Sequence, residues 1–99
     1  MTQDRRSEKR INTNLPTKWV GLSGVYEARL EDISLGGCFV NTAGAVEIRE
    51  LISLEIQLPS GEWIPLRGEV TYCQPGIGFG LLFNFLNDEE ERALRELFF

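Results

Sequence analysis

Two short clusters in this 99-residue chain carry side chains that could do chemistry on a small molecule. The first is Arg5-Arg6-Ser7-Glu8-Lys9-Arg10, the only concentrated positive charge. Its guanidinium groups hold their charge at any working pH and present several donors at once, which suits an anion. The second is Asp32-Ile33-Ser34-Leu35-Gly36-Gly37, which offers a carboxylate acceptor, a hydroxyl and glycine at a sharp bend. Each also has a plainer reading: a solvated N-terminal charge run, and an Asx-type turn between strands. Neither is a catalytic set. The chain has no His, so the commonest general base and the Ser-His and Cys-His pairs are missing. No cluster of thiols and carboxylates has zinc-ligand spacing. The expectation is a binding protein, not an enzyme, without metal or cofactor.

Charge distribution narrows the ligand. The formal net charge is −5, but it is uneven: residues 1–18 carry +3, residues 19–83 carry −5 and residues 84–99 carry −3. An acidic body cannot make the many phosphate contacts that duplex DNA demands, so DNA is not an expected partner. One short basic arm fits a small anion better. The longest apolar runs fall far short of the ~20 residues that cross a bilayer, and no apolar run follows the N-terminal charges as in a signal peptide. The expected location is the cytoplasm, where Cys38 and Cys73 read as reduced core thiols.

The elements that must position these clusters are mostly strands. Residues 1–16 lack periodicity and end in Asn12-Thr13-Asn14-Leu15-Pro16, which predicts an irregular, mobile arm ahead of a domain over 17–99. Thr17 to Val20 leads into the turn Gly21-Leu22-Ser23-Gly24. From Val25 to Ile33, Tyr26, Ala28 and Leu30 alternate with Glu27, Arg29 and Glu31, the period of a strand with one wet face. Ser34 to Gly37 interrupts it, and Cys38-Phe39-Val40 resumes extended structure. Leu51 to Leu58 is the clearest strand, with Ile52, Leu54, Ile56 and Leu58 in phase. After the Pro59-Ser60-Gly61 turn, a long strand spans Glu62 to Cys73, where Pro65 predicts an edge or a bulge near the start. Gly78 to Phe85 is the last strand. Five or six short strands with tight turns predict a small antiparallel barrel or sandwich. From Asn87 onward the period changes to that of a helix over 87–99. Asn87 and Glu90 form a capping box, and Leu94, Leu97 and Phe98 make one apolar face. Three turns are marginal alone, so the helix must dock on the barrel.

The two clusters, in this order and inside one small β-rich domain, resemble the PilZ family of bacterial receptors for cyclic di-GMP. The family's motif is an N-terminal Arg-x-x-x-Arg, often preceded by another Arg, then Asp/Asn-x-Ser-x-x-Gly. Arg6 and Arg10, with Arg5 ahead of them, match the first half; Asp32, Ser34 and Gly37 match the second. Gly76-Ile77-Gly78-Phe79-Gly80-Leu81-Leu82-Phe83 is similar to the family's Gly-rich last strand. The resemblance implies a six-stranded antiparallel β-barrel with a C-terminal helix. It also implies cyclic di-GMP as ligand and an arm that folds over the barrel when the ligand binds. An Arg before the motif is associated in the family with capture of a stacked ligand dimer, which gives Arg5 its implied role.

The chemistry agrees. Guanine O6 and N7 match the two-pronged face of Arg, and a guanidinium plane can stack on a purine. An ionised Asp32 accepts from guanine N1–H and N2–H₂. Ser34 can bond the ligand or stabilise the turn, and Gly37 allows an approach that a Cβ would block. The family often carries a stacking aromatic on its penultimate strand. Tyr72 is the nearest match, although its parity with Ile64, Leu66 and Val70 fits a core role equally. Trp63 and Trp19 are weaker candidates. A lone receptor domain also implies a separate effector protein downstream, and the apolar pair at the C-terminus raises the prospect of a homodimer. Two other readings stand beside this one: a PilZ-like adaptor that binds protein but not nucleotide, and a small RNA-binding barrel. The second would need aromatics interleaved with Lys and Arg, whereas the polar strand faces here carry mostly Glu.

Overall fold

The structure is a computed structural model that describes residues 10–84 and 86–98. Six antiparallel strands follow one another in sequence: β1 (Ile11–Gly21), β2 (Gly24–Ile33), β3 (Gly37–Asn41), β4 (Leu51–Gln57), β5 (Trp63–Gln74) and β6 (Gly78–Phe83). They close into a barrel in the order β1-β2-β3-β6-β5-β4, with β4 pairing back onto β1. A helix, α1 (Asp88–Arg95), and one 3₁₀ turn over Glu96–Phe98 complete the chain. The barrel and terminal helix are those expected from the alternating and then helical periodicity.

Alternation determines what fills the barrel. Trp19, Leu30, Val40, Ile56, Val70 and Phe79 are fully buried and meet at its centre. Burying a side chain of this size is worth about 1.5–3 kcal/mol relative to exposure, so this interior accounts for most of the drive to close the sheet. Trp19 is the largest of these residues. Its ring stacks on Tyr26 at 4.4 Å and meets Phe79 edge-on at 5.1 Å. Its indole N–H donates to Thr42 Oγ1 at 3.2 Å, which satisfies the one polar atom it buries.

One local expectation needs correction. Residues 11–16 are not an irregular arm: they form the first half of β1 and pair with β2 as Ile11↔Ile33, Asn12↔Asp32 and Leu15↔Leu30. An irregularity between Asn12 and Leu15, with Asn14 at φ 101°, hides the period from a reading of the sequence. Residues 1–9 of the expected arm lie outside the described residues. Of the two readings offered for Pro65, the edge holds and the bulge does not: it pairs in register with Glu55 of β4. β6 joins β5 only from Gly68 onward, so Pro65 sits where no second strand needs its missing N–H.

The helix begins as expected. Asn87 Oδ1 accepts from the Glu90 amide at 2.7 Å, and Glu90 Oε1 accepts from the Asn87 amide at 3.1 Å. Glu90 also receives Arg67 Nη2 of β5 at 3.3 Å. One nearly buried carboxylate therefore closes the helix start and ties it to the barrel wall, while Leu94 enters the core. We expect Asn87→Ala to cost about 1 kcal/mol, as a lost N-cap does. Glu90→Ala should cost more, because it removes a charge-assisted tether as well. Urea denaturation of both variants measures the difference, and equal losses would show that the Arg67 contact adds nothing.

Candidate ligand-binding site

An uninterrupted strand sends every second side chain inward. Three irregularities break that rule at one place in the barrel. On β2, Leu30 pairs with Val40 and Asp32 pairs with Phe39, so Glu31 is the extra residue. On β5, Val70 pairs with Leu81 and Tyr72 with Gly80, so Thr71 is extra. The third is that on β1 between Asn12 and Leu15. A bulge reverses the facing of whatever follows it. Leu30 and Val70 point into the core, yet Asp32 and Tyr72, two residues later, both leave it. Across the strands the pairs Asn12↔Asp32, Asp32↔Phe39, Phe39↔Gly80 and Gly80↔Tyr72 form one continuous lateral row. Paired residues share a face, so this row is a single outer surface.

Arg10 closes one end of it. Its Nη2 donates to Asp32 Oδ1 at 2.6 Å, and its Nη1 reaches Ser34 Oγ at 3.4 Å. The two halves of the sequence pattern, 22 residues apart, thus meet through one guanidinium. About half of the Arg10 side chain is exposed to solvent. Arg5 and Arg6 lie outside the described residues.

Ser34 is fully buried. Its Oγ accepts from the amides of Gly36 and Gly37 at 3.1 and 3.2 Å, and its own amide donates to the Gly37 carbonyl at 2.8 Å. These bonds fold the Ser34–Gly37 loop into a compact bend. The hydroxyl is therefore a structural post behind Arg10 and Asp32. Gly37 is required for a different reason. Its φ is not positive, but a Cβ there would lie 2.2 Å from the Leu81 carbonyl oxygen. Beside this loop, burial pushes the Cys38 thiol far up, and the Asp32 carboxylate adds to that direction while Arg10 opposes it. Cys38 is thus an inert core thiol, as expected; both cysteines are free.

At the other end of the row, Tyr72 lies flat across β6. A Cβ on Gly80 would stand 2.3 Å from Tyr72 Cε1, so glycine is what lets the ring settle onto the strand. The ring stacks against Phe39 at 5.9 Å with 30° between the planes. Parity had left Tyr72 open between core and surface. The bulge at Thr71 decides for the surface, where the residue is half exposed. Phe39 was not among the sequence candidates. Its signal was present: Cys38 and Val40 face the core, so the residue between them leaves the barrel interior; there it is packed against Tyr72 and only 7% exposed. The weaker candidates fall elsewhere. Trp19 is core, and Trp63 holds Lys18 Nζ 4.7 Å above its ring. Among the described residues, no three His, Cys, Asp or Glu side chains gather as a metal site.

The model of the PilZ domain family matches residues 4–99, which is nearly the whole chain. The chain belongs to the PilZ domain family. Similar solved structures agree on the fold. The PilZ domain of YcgR from Escherichia coli, solved with c-di-GMP, superposes with a TM-score of 0.78 at 17% identity, over 95% of this chain and 88% of that one. The PilZ domain of CeSA from a cellulose-synthesizing bacterium gives 0.72 at 20% identity, over 90% and 93%. The Bacillus subtilis inhibitor of motility MotI/DgrA gives 0.80 at 20% identity, but there this chain spans only half of the longer protein. No curated protein sequence matches the chain. At these identities the structural matches speak for the fold alone.

The loop geometry yields a direct test. The contact at Gly37 is with backbone, which no rotamer change relieves. We expect Gly37→Ala to destabilise the barrel by about 1–3 kcal/mol, the usual range for forced overpacking. Chemical denaturation measures it, and a loss below 0.5 kcal/mol, on the order of an ordinary surface substitution, would mean that the β3–β6 approach is looser than described.

Proposed function

We propose that this chain is a receptor for cyclic di-GMP, with its site on the outer row from Arg10 and Asp32 to Tyr72. The observation that carries the reading is the Arg10–Asp32–Ser34 cluster beside an exposed aromatic ring. Membership of the PilZ family and similarity to the YcgR domain, which was solved with c-di-GMP, support it. No other group on the row competes with that chemistry.

Each residue has a task that follows from its chemistry. Arg10 supplies charge and bidentate donors to a guanine edge or a phosphate. Asp32 accepts from guanine N1–H and N2–H₂, the edge complementary to a carboxylate. Tyr72, flat on Gly80 and backed by Phe39, offers a stacking platform for a base. Ser34 and Gly37 act through the bend, holding Asp32 and Arg10 in place. Arg6 and Arg5 precede Arg10 by four and five residues, within reach of the same face, and close on the phosphates as the ligand seats. Arg5 admits a second, stacked ligand. That closure is the signal, and a separate effector protein reads it in the cytoplasm. The bound state stands on charge-assisted hydrogen bonds that outweigh the entropy of ordering the segment.

Titration calorimetry with cyclic di-GMP tests the reading. We expect saturable binding that Arg10→Ala weakens by about 1.5–3 kcal/mol, the loss for a hydrogen bond to a charged partner. Tyr72→Ala should cost about 1–3 kcal/mol, as stacking on one base does. Cyclic di-AMP, which lacks the guanine edge, should not compete. No heat with cyclic di-GMP, or affinity unchanged in both variants, overturns the site. One ligand per chain would remove the role given to Arg5.

A further inference from the structure

The large exposed apolar side chains of the described residues fall into two groups. Tyr72, Ile77 and Leu82 lie on or beside β5 and β6, around the row already described. The other five, Val20, Leu22, Val25, Ile48 and Leu51, gather at the opposite end of β1 and β2. Val20 and Val25 are a cross-strand pair on the outer face. Val20 pairs on its other side with Ser53, and Leu51 shares that face two residues away. Leu22 and Ile48 line one groove of about 560 Å³ between the β1–β2 turn and the loop before β4. Leu22, Val25 and Leu51 are 88, 74 and 70% exposed. Isolated exposed apolar residues need no explanation, but a contiguous group of five does.

The patch is built. Glu50 is nearly buried, and its carboxylate accepts from the Leu22 amide at 2.6 Å and the Glu47 amide at 2.9 Å. Ser23 Oγ donates to the Ala45 carbonyl at 2.7 Å. The Val70 amide donates to the Glu50 carbonyl, and the Arg49 amide donates to the Val70 carbonyl. The backbone at Arg49 takes a φ of 76°, a conformation a non-glycine residue adopts only when its surroundings hold it there. The turn carrying Leu22 and the loop carrying Ile48 are thereby locked together.

We propose that this patch is a docking surface for another protein, through an apolar helical segment flanked by Lys or Arg. The charge around it selects that occupant. Along the strands leaving the patch, Lys18 stands between its two pairing partners Glu27 and Glu55, and Arg67 is engaged by Glu90. Glu69 pairs with Leu51, and Glu47 lines the groove, with Arg49 as the remaining cation there. The rim is acidic. A second copy would bring the same acidic rim against itself, and an anionic lipid surface would be repelled for the same reason. The groove that Leu22 and Ile48 line is read by side chains, as a helix in a groove is. Val20 lies roughly 25 Å along β1 from Asn12, at about 3.3 Å per residue, whereas Leu51 pairs with Glu69, three residues before Tyr72 on β5. The docking surface stands whether or not the dinucleotide reading holds.

The test uses the full chain and two synthetic helical peptides with the same leucine face, one flanked by lysines and one by glutamates. Fluorescence anisotropy should show the lysine peptide binding at least tenfold more tightly. The double variant Leu22→Ser, Val25→Thr, which leaves all charges in place, should weaken that binding at least tenfold. Backbone amide shifts should change at residues 20–25 and 47–53. Calorimetry with cyclic di-GMP on the same double variant should match the unaltered protein, which separates this surface from the ligand site. Equal affinity for both peptides overturns the proposal, as does binding that the double variant retains or shifts centred on Asp32 and Tyr72. Concentration-dependent dimerisation abolished by the double variant would assign the patch to a second copy and overturn it too.

Discussion

A strand can turn only alternate residues outward, and a small barrel needs nearly every inward position for its core. That constraint leaves little freedom for a site. In β2, unbroken alternation would carry Asp32 inward with Leu30; in β5 it would carry Tyr72 inward with Val70. A carboxylate at the centre of such a core would be very costly without a partner. One inserted residue in each strand, Glu31 and Thr71, changes the phase at the position where it matters. The core keeps Leu30, Ile33, Val70 and Cys38, and the surface receives Asp32 and Tyr72. The irregularity in β1 falls beside the same row. These bulges are the devices from which the site is made.

The Arg10–Asp32 ion pair shows how little such a contact needs to contribute to stability. With Arg10 half exposed, solvent and salt screen it, and pairs of this kind are worth about 0–1 kcal/mol. Its value lies in placement. Asp32 and Ser34 hold the guanidinium at the edge of the row, so less side-chain entropy remains to be lost if the proposed ligand binds there. The supports behind it are stiffer. Ser34 Oγ takes two backbone amides, and Gly37 lets β3 press against β6. The charged, half-exposed group stands outside, and the atoms behind it are packed inside.

Much of the barrel was legible in the sequence because alternation is a direct record of facing. The runs Val25–Ile33 and Leu51–Leu58, the turns at Gly21–Gly24 and Pro59–Gly61, and the Asn87–Glu90 cap all became the elements they predicted. The first half of β1 was hidden because an irregularity disrupts its period, and Asn14, with its positive φ, reads as loop chemistry. Tyr72 was ambiguous for the same reason: a single inserted residue leaves no mark on composition, yet it reverses parity. Phe39 was passed over because the short apolar run Cys38-Phe39-Val40 is uniformly buried, even though its middle residue lies outside the barrel interior. The pattern Asp32-x-Ser34-x-x-Gly37 pointed to a bend but not to how its residues pack within it. That Ser34 faces backbone rather than solvent is a property of the folded loop.

The closed barrel also limits how a bound ligand can be noticed elsewhere. A closed barrel filled by close-packed side chains does not flex by small degrees. A change at the Asp32 row therefore reaches a partner by what is added to the surface, and not by deformation of the wall. The segment ahead of β1 starts at that row, and β1 itself runs from Asn12 to the Val20 and Val25 patch. One strand thus joins Asn12, on the row of the proposed ligand site, to the exposed apolar end.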